Sequence, residues 1–168
     1  NYNDEFLFEA NLRRDGSSKF ADVRRWGIFP SFSAGWNLTR ERFLKPVAWL
    51  DNLKLRASWG QLGNNKIGDY LYISTITLGQ NYPFAGAINS GAATTVASNP
   101  DVTWETTTEK NIGVDAGFFH NGLLSLTFDY YDRYTDAILT TVPVSAIFGL
   151  AAPTVNGGAM RNRGVELQ

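Results

Sequence analysis

Leu53-Lys54-Leu55-Arg56-Ala57-Ser58-Trp59-Gly60-Gln61 alternates apolar and polar positions without a break. In an extended strand successive side chains point to opposite faces, so Leu53, Leu55, Ala57 and Trp59 share one side and Lys54, Arg56, Ser58 and Gly60 the other. A helix would scatter the same residues around its axis.

The same pattern recurs on both sides of this stretch. Phe6, Phe8, Ala10 and Leu12 alternate with Leu7, Glu9, Asn11 and Arg13. Phe32, Ala34, Trp36 and Leu38 alternate with Ser31, Ser33, Gly35 and Asn37. Further along, Ile112, Val114, Ala116 and Phe118 alternate with Asn111, Gly113, Asp115 and Gly117, and Leu124, Leu126, Phe128 and Tyr130 with Ser125, Thr127, Asp129 and Tyr131. Gly164 to Leu167 begins the pattern once more. Nearly every charge falls on one face, with Lys110 the exception, expected at a strand end. An apolar wall of this kind belongs either in the core of a soluble sandwich or in lipid. Sandwich strands average about 5–6 residues. These stretches run longer, towards the roughly 9–11 that a tilted membrane strand needs. Aromatics gather near the strand ends (Phe6, Phe8, Trp36, Trp59, Trp104, Phe118, Phe119, Tyr130, Tyr131, Tyr134), as in the girdles at membrane interfaces.

Loop lengths orient the strands. His120-Asn121-Gly122 reads as a tight turn, because Asn-Gly supplies the positive φ that short hairpins need. In bacterial barrels short turns face the periplasm and long loops face outside. Arg14–Arg25 is then an outer loop, Thr39–Asn52 an inner connection and Leu62–Thr103 a long outer excursion. The apolar run Tyr70–Leu78 inside that excursion cannot cross alone, since an even number of crossings must lie between its flanking strands. It is expected to be a β-extension above the membrane.

Composition narrows the function. The 168 residues carry 15 basic and 16 acidic side chains, a net charge of −1, which offers no basic footprint for nucleic acid. With no cysteine, disulfides and thiolate chemistry are excluded. No apolar run is long enough for a membrane helix, and no signal peptide is visible at Asn1-Tyr2-Asn3-Asp4-Glu5. His120, the single histidine, reads as a turn residue rather than a base. The pairs Asp4/Glu5 and Asp129/Asp132 could suggest acid–base work, but a wet lumen and rim explain them better. Gly60–Lys66 lacks the Gly-Lys-Ser/Thr of a phosphate loop, because Ile67 follows Lys66. Asn37-Leu38-Thr39 matches a glycosylation acceptor only by pattern. The basic group Arg13, Arg14, Lys19, Arg24 and Arg25 reads as a solvated loop balanced by Asp15 and Asp22, with an anion or lipopolysaccharide contact as the rival. No catalytic residue, metal or cofactor is expected.

Arg13–Trp36 (RRDGSSKFADVRRWGIFPSFSAGW), Leu53–Tyr70 (LKLRASWGQLGNNKIGDY), Asn99–Asp115 (NPDVTWETTTEKNIGVD), Phe118–Tyr131 (FFHNGLLSLTFDYY) and Asn156–Leu167 (NGGAMRNRGVEL) closely resemble, in order, the SusC-like family of TonB-dependent outer-membrane transporters of Bacteroidetes-type bacteria. The resemblance implies an antiparallel transmembrane β-barrel of about 22 strands, of which residues 1–168 are one part. It implies import of oligosaccharide or peptide with a SusD-like surface lipoprotein, dimers of such pairs, and energy delivered by the TonB complex through a plug region that this chain lacks.

On that footing Glu9, Arg13, Lys54, Arg56, Glu109, Asp115 and Asp129 are expected to face the lumen. Phe8, Leu12, Phe32, Trp36, Leu55, Ala57, Trp59, Ile112, Val114, Leu126 and Phe128 are expected to face outer-membrane lipid. Tyr70, Tyr72, Tyr82, Phe84 and Trp104 are candidates to contact substrate or partner, since aromatic faces stack on sugars and anchor interfaces; their alternative is to pack the loop or form a girdle. Two rival readings are a small complete outer-membrane barrel with a structural or adhesive role, and a soluble carbohydrate-binding β-sandwich.

Overall fold

The alternating stretches lie side by side in the order in which the chain makes them. The structure, a computed structural model, describes residues 2–44, 47, 49–119 and 123–168. Six long strands, β1 (Phe6–Gly16), β2 (Trp26–Asn37), β3 (Leu50–Asn64), β8 (Glu105–Phe118), β9 (Leu124–Thr141) and β10 (Thr154–Leu167), make one sheet in the order β1-β2-β3-β8-β9-β10. Every neighbouring pair in it is antiparallel. Four short strands, β4 (Thr77–Leu78), β5 (Tyr82–Phe84), β6 (Ala87–Asn89) and β7 (Ala92–Ala93), form two small ladders in the excursion between β3 and β8.

Register joins the apolar sides of all six strands into one surface. Phe6, Trp36, Leu55, Val114, Phe128 and Leu167 face one another in a single row across the sheet, and Phe8, Ala34, Ala57, Ile112, Tyr130 and Val165 in the next. Cross-strand rings stack within it, Phe6 on Trp36 and Phe32 on Trp59, each with centroids 5.8 Å apart. No second layer covers this surface among the described residues: Leu12 is 74% exposed, Phe8 69% and Ile112 60%. A sandwich would bury these side chains against a facing sheet, so the sandwich reading fails. The six strands of the main sheet are ordered linearly from β1 to β10 and do not close on themselves, so a complete small barrel is not formed by the described residues.

The apolar band crosses the strands obliquely. Its outer limit lies beyond Trp26 on β2, after Trp59 on β3, after Ile112 on β8 and at Val165 on β10. Its inner limit moves the same way, from Phe6 and Trp36 to Leu53, then to Phe118 and Leu124. A horizontal band on tilted strands has this geometry, since barrel strands tilt by about 35–45°.

Several expectations need correction. β9 continues to Thr141, past the loss of alternation at Tyr131, and β10 begins at Thr154 rather than Gly164. Beyond the band the strands still pair, as in Thr107 with Thr135 and Val155 with Thr140, and the backbone ladder needs no two-faced side-chain pattern where both faces are polar. Lys110 sits within β8, not at its end, opposite Asp132 and Trp59. Asp132, Arg161 and Arg163 join it on the apolar side at the outer edge of the band, Arg14 lies there one row inside Trp26, and Asp136 two rows beyond Asp132, so charge is less confined to one face than expected. Tyr70–Leu78 is not a continuous extension: Tyr70 has φ +57°, and only Thr77–Leu78 is strand, paired with Ala92–Ala93. The proposed turn His120-Asn121-Gly122 lies outside the described residues; β8 ends at Phe118 and β9 starts at Leu124 around it.

Candidate functional site

The polar side of the sheet carries the expected charged set. Glu9 and Arg13 on β1, Lys54 and Arg56 on β3, Glu109 and Asp115 on β8 and Asp129 on β9 all occupy the face opposite the apolar band. At its centre Arg56 reaches across two strands. Its Nε donates to Asp115 Oδ2 at 3.1 Å, and its Nη2 donates to Asp115 Oδ1 at 3.2 Å and to Asp129 Oδ2 at 2.7 Å. A planar guanidinium suits such a fork, and each carboxylate keeps a cation against it. Gly113 makes the approach possible, because a Cβ there would lie 2.4 Å from Asp129 Oδ1 and 2.9 Å from Arg56 Cζ. Nearer the outer end, Arg133 donates to Glu109 Oε2 from Nη2 at 3.1 Å. Leu7, Glu9, Ser33, Lys54, Arg56 and Asn111 line an open trough along this face. Alternation in the sequence ends at Tyr131, so it carries no signal for Arg133, although β9 runs on to Thr141.

The outer end of this face is capped by a small core. Phe20, in the loop after β1, and Val102 are fully buried, Phe29 and Trp104 are buried with them, and Ile67 and Leu139 pack against the cluster. Phe20 and Phe29 lie 5.1 and 5.5 Å from the Trp104 ring, centroid to centroid. Phe29 belongs to the polar face of β2, and the end of its ring lies against Gly27 and Gly63, where a Cβ would come within 2.5 and 1.9 Å of it. Polar ties complete the cap: Lys19 Nζ donates to the Ile67 carbonyl at 2.8 Å, and the Asn156 amide joins Thr103 N, Thr103 O and Ala137 O, each at 2.9 Å. No local alternation signals this cluster, since its members come from loops and strands far apart in the chain.

The aromatic candidates separate into two groups. Trp104 is buried in the cap, packed against Phe20 and Phe29, so it is withdrawn from the set of exposed contacts. Tyr70 and Tyr72 sit together, ring centroids 6.5 Å apart, in the excursion. Tyr82 and Phe84 project from β5, which pairs with β6 around Ala85 and Gly86, both at positive φ as a two-residue hairpin turn requires. Phe84 and its ladder partner's neighbour Ile88 are exposed, so this hairpin offers an apolar tip. Among the described residues no group of three or more His, Cys, Asp or Glu could hold a metal ion.

Long antiparallel strands in a meander, with a continuous exposed apolar face, an ion-paired opposite face and long loops at one end, define a wall of an outer-membrane β-barrel. The chain belongs to the TonB-dependent receptor family: the family model described as "TonB dependent receptor-like, beta-barrel" matches residues 1–168. TonB-dependent receptor SusC of Bacteroides thetaiotaomicron is 40% identical over 167 residues, which is 96% of this chain and 16% of that protein. TonB-dependent receptor P39 of Formosa agariphila is 37% identical over 166 residues, 99% of this chain and 16% of that protein. A solved structure of the RagAB peptide transporter superposes with a TM-score of 0.84 at 33% identity, covering 97% of this chain and 18% of that one. The RagAB peptide importer in its open-open state gives 0.85 at 32% identity, covering 99% and 18%. The chain thus spans about a sixth of the length of the relatives it matches. Its place is the outer membrane of a Bacteroidetes-type bacterium.

Proposed function

We propose that residues 1–168 are one stretch of the wall of a SusC-like, TonB-dependent transporter that imports oligosaccharides or peptides. The barrel has about 22 strands. A SusD-like lipoprotein delivers the substrate at the outer mouth, two such pairs associate, and the TonB complex drives uptake through a plug supplied by another part of the protein. The observation that carries this reading is the pairing of one unbroken apolar face with an ion-paired polar face on a sheet that follows the RagAB peptide transporter at a TM-score of 0.84. The RagAB neighbour is a peptide transporter, which supports a peptide, and the resemblance to the SusC-like family keeps an oligosaccharide as the alternative.

In this reading Phe8, Leu12, Phe32, Trp36, Leu55, Ala57, Trp59, Ile112, Val114, Leu126 and Phe128 meet hydrocarbon. Glu9, Arg13, Lys54, Arg56, Glu109, Asp115 and Asp129 face the lumen, where fixed charges hold a wet surface against the plug. The long-loop end is outside, and Tyr70, Tyr72, Tyr82 and Phe84 meet the substrate or the lipoprotein there. The chain performs no catalysis; its known relatives are receptors and transporters.

Uptake of fluorescent peptide and oligosaccharide mixtures by cells with and without the full receptor tests this. Receptor-dependent accumulation that stops when the proton gradient is collapsed is expected. Accumulation indifferent to the gradient would mean a passive pore.

A further inference from the structure

The charges on the apolar side form a group with a defined position. Lys110, Asp132 and Arg163 face one another in one row across β8, β9 and β10, and Arg161 stands in the next row outward, opposite Tyr134. Arg161 grips Asp132 with Nε to Oδ1 at 2.8 Å and with Nη2 to Oδ2, and Arg163 Nε reaches Oδ2 at 3.2 Å. The carboxylate is covered, its side chain 12% exposed, while about half of each arginine side chain is open. Three cations thus meet two carboxylates, Asp132 and, further out, Asp136, and the patch is positive on the side that points away from the lumenal face.

Its depth matters. Eight residue steps separate Leu124, at the inner limit of the band, from Asp132. That is roughly 26 Å along a strand and roughly 20 Å along the membrane normal at a tilt near 40°. The Asp132 row therefore sits about 5 Å short of the outer limit of an apolar band of about 25 Å, and the Arg161 row, two residues further out, reaches the headgroups. Directly inward on the same face lie Tyr130, Val165, Ile112 and Phe128, so a ligand with an anionic head and acyl chains would meet cations and apolar surface in the right order. Guanidinium groups favour phosphate because their N–H donors match its oxygens in pairs, and those not used by Asp132 remain to make such bonds.

We propose that Arg161, Arg163 and Lys110, organised by Asp132, bind the phosphate of a lipid headgroup in the outer leaflet. Asp132 is a positioning residue: it aligns the two arginines and keeps its own charge covered. The proposal rests on the apolar face being the lipid-facing one. It adds a lipid site distinct from the transport path, on the other side of the sheet.

The test uses the full-length receptor in phosphatidylcholine nanodiscs, offered lipid A or chemically dephosphorylated lipid A, with bound lipid counted by mass spectrometry. The wild type should retain lipid A about tenfold over the dephosphorylated form, and added salt should reduce the preference. Arg161→Gln with Arg163→Gln should abolish the preference, Arg161→Lys with Arg163→Lys should keep most of it, and Arg40→Gln, at the other end of the sheet, should keep all of it. If the double glutamine variant does not assemble, Arg163→Gln alone, which leaves the Arg161–Asp132 pair intact, should lower the preference at least threefold. Equal retention of the two lipids by wild type, or an unchanged preference in the glutamine variants, overturns the proposal. So does displacement of lipid A by equimolar inorganic phosphate, which would mark an aqueous anion site. A receptor that does not enter nanodiscs at all would instead refute the barrel reading beneath it.

Discussion

Arginine at position 57 and arginine at position 58 should have opposite consequences for neighbouring points of one strand. Ala57 lies on the apolar face between Ala34 and Ile112, within the run Leu53 to Trp59; Ser58 lies on the polar face between Ser33 and Asn111. A cation on the lipid side near mid-depth costs roughly 2–4 kcal/mol, falling towards the interfaces. From Ala57 the outer limit of the band, just after Trp59, is about three residues away, roughly 10 Å along the strand, further than an arginine side chain extends, so snorkelling relieves only part of the penalty. Ala57→Arg should therefore cost about 2–3 kcal/mol and Val114→Arg, flanked by Leu55 and Phe128, about 3–4 kcal/mol. Those values shift the folding equilibrium by roughly 30- to 800-fold. Ser58→Arg enters the trough beside Glu9 and should change stability by less than about 0.5 kcal/mol. Folding of the full receptor into lipid vesicles during a urea titration, read by heat-modifiable migration on a gel, measures all three. Equal destabilisation by Ala57→Arg and Ser58→Arg would refute the assignment of faces.

Arg56→Leu strips the cation from Asp115 and Asp129; because Arg56 is more than a third exposed, about 1 kcal/mol is expected rather than the value of a dry ion pair, and adding Asp129→Asn should recover part of it in a double-mutant cycle. Gly63→Val puts a side chain where the Phe29 ring lies, so Phe29 must leave the cap at a cost of about 1–3 kcal/mol, and limited proteolysis should then cut the loop containing Phe20 faster while the rest of the barrel stays resistant. Phe20→Ala empties a fully buried site and should act the same way at about 3–5 kcal/mol. Asn156→Leu removes the amide that joins Thr103 to Ala137; hydrogen exchange at the Thr103 amide should speed up by tenfold or more, the mark of a lost bond worth about 1.4 kcal/mol.

A strand that meets hydrocarbon on one face and water on the other must alternate. That alternation in Leu53–Gln61, repeated in kind at Phe6, Phe32, Ile112 and Leu124, marks the strands and their two faces, and register gathers Glu9, Arg13, Lys54, Arg56, Glu109, Asp115 and Asp129 on the polar one. The signal ends where the apolar band ends. The outer half of β9, most of β10, the small ladders of the excursion and the cap around Phe20 lie where both faces are wet or where packing is between distant segments, and there only pairing and tertiary contact choose the structure. Arg161 and Arg163, two apart in MRNRG, precede the stretch where alternation is visible, and that they stand on the apolar face follows from the register that sets Val165 against Tyr130 and Arg163 against Asp132. Trp104 makes the same point in reverse: its residue type suggested an exposed contact, and its neighbours in space, Phe20 and Phe29, buried it. Alternation is a local record of the solvent on either side of a strand, whereas register and burial are properties of which strands and loops meet, and no single stretch of sequence carries them.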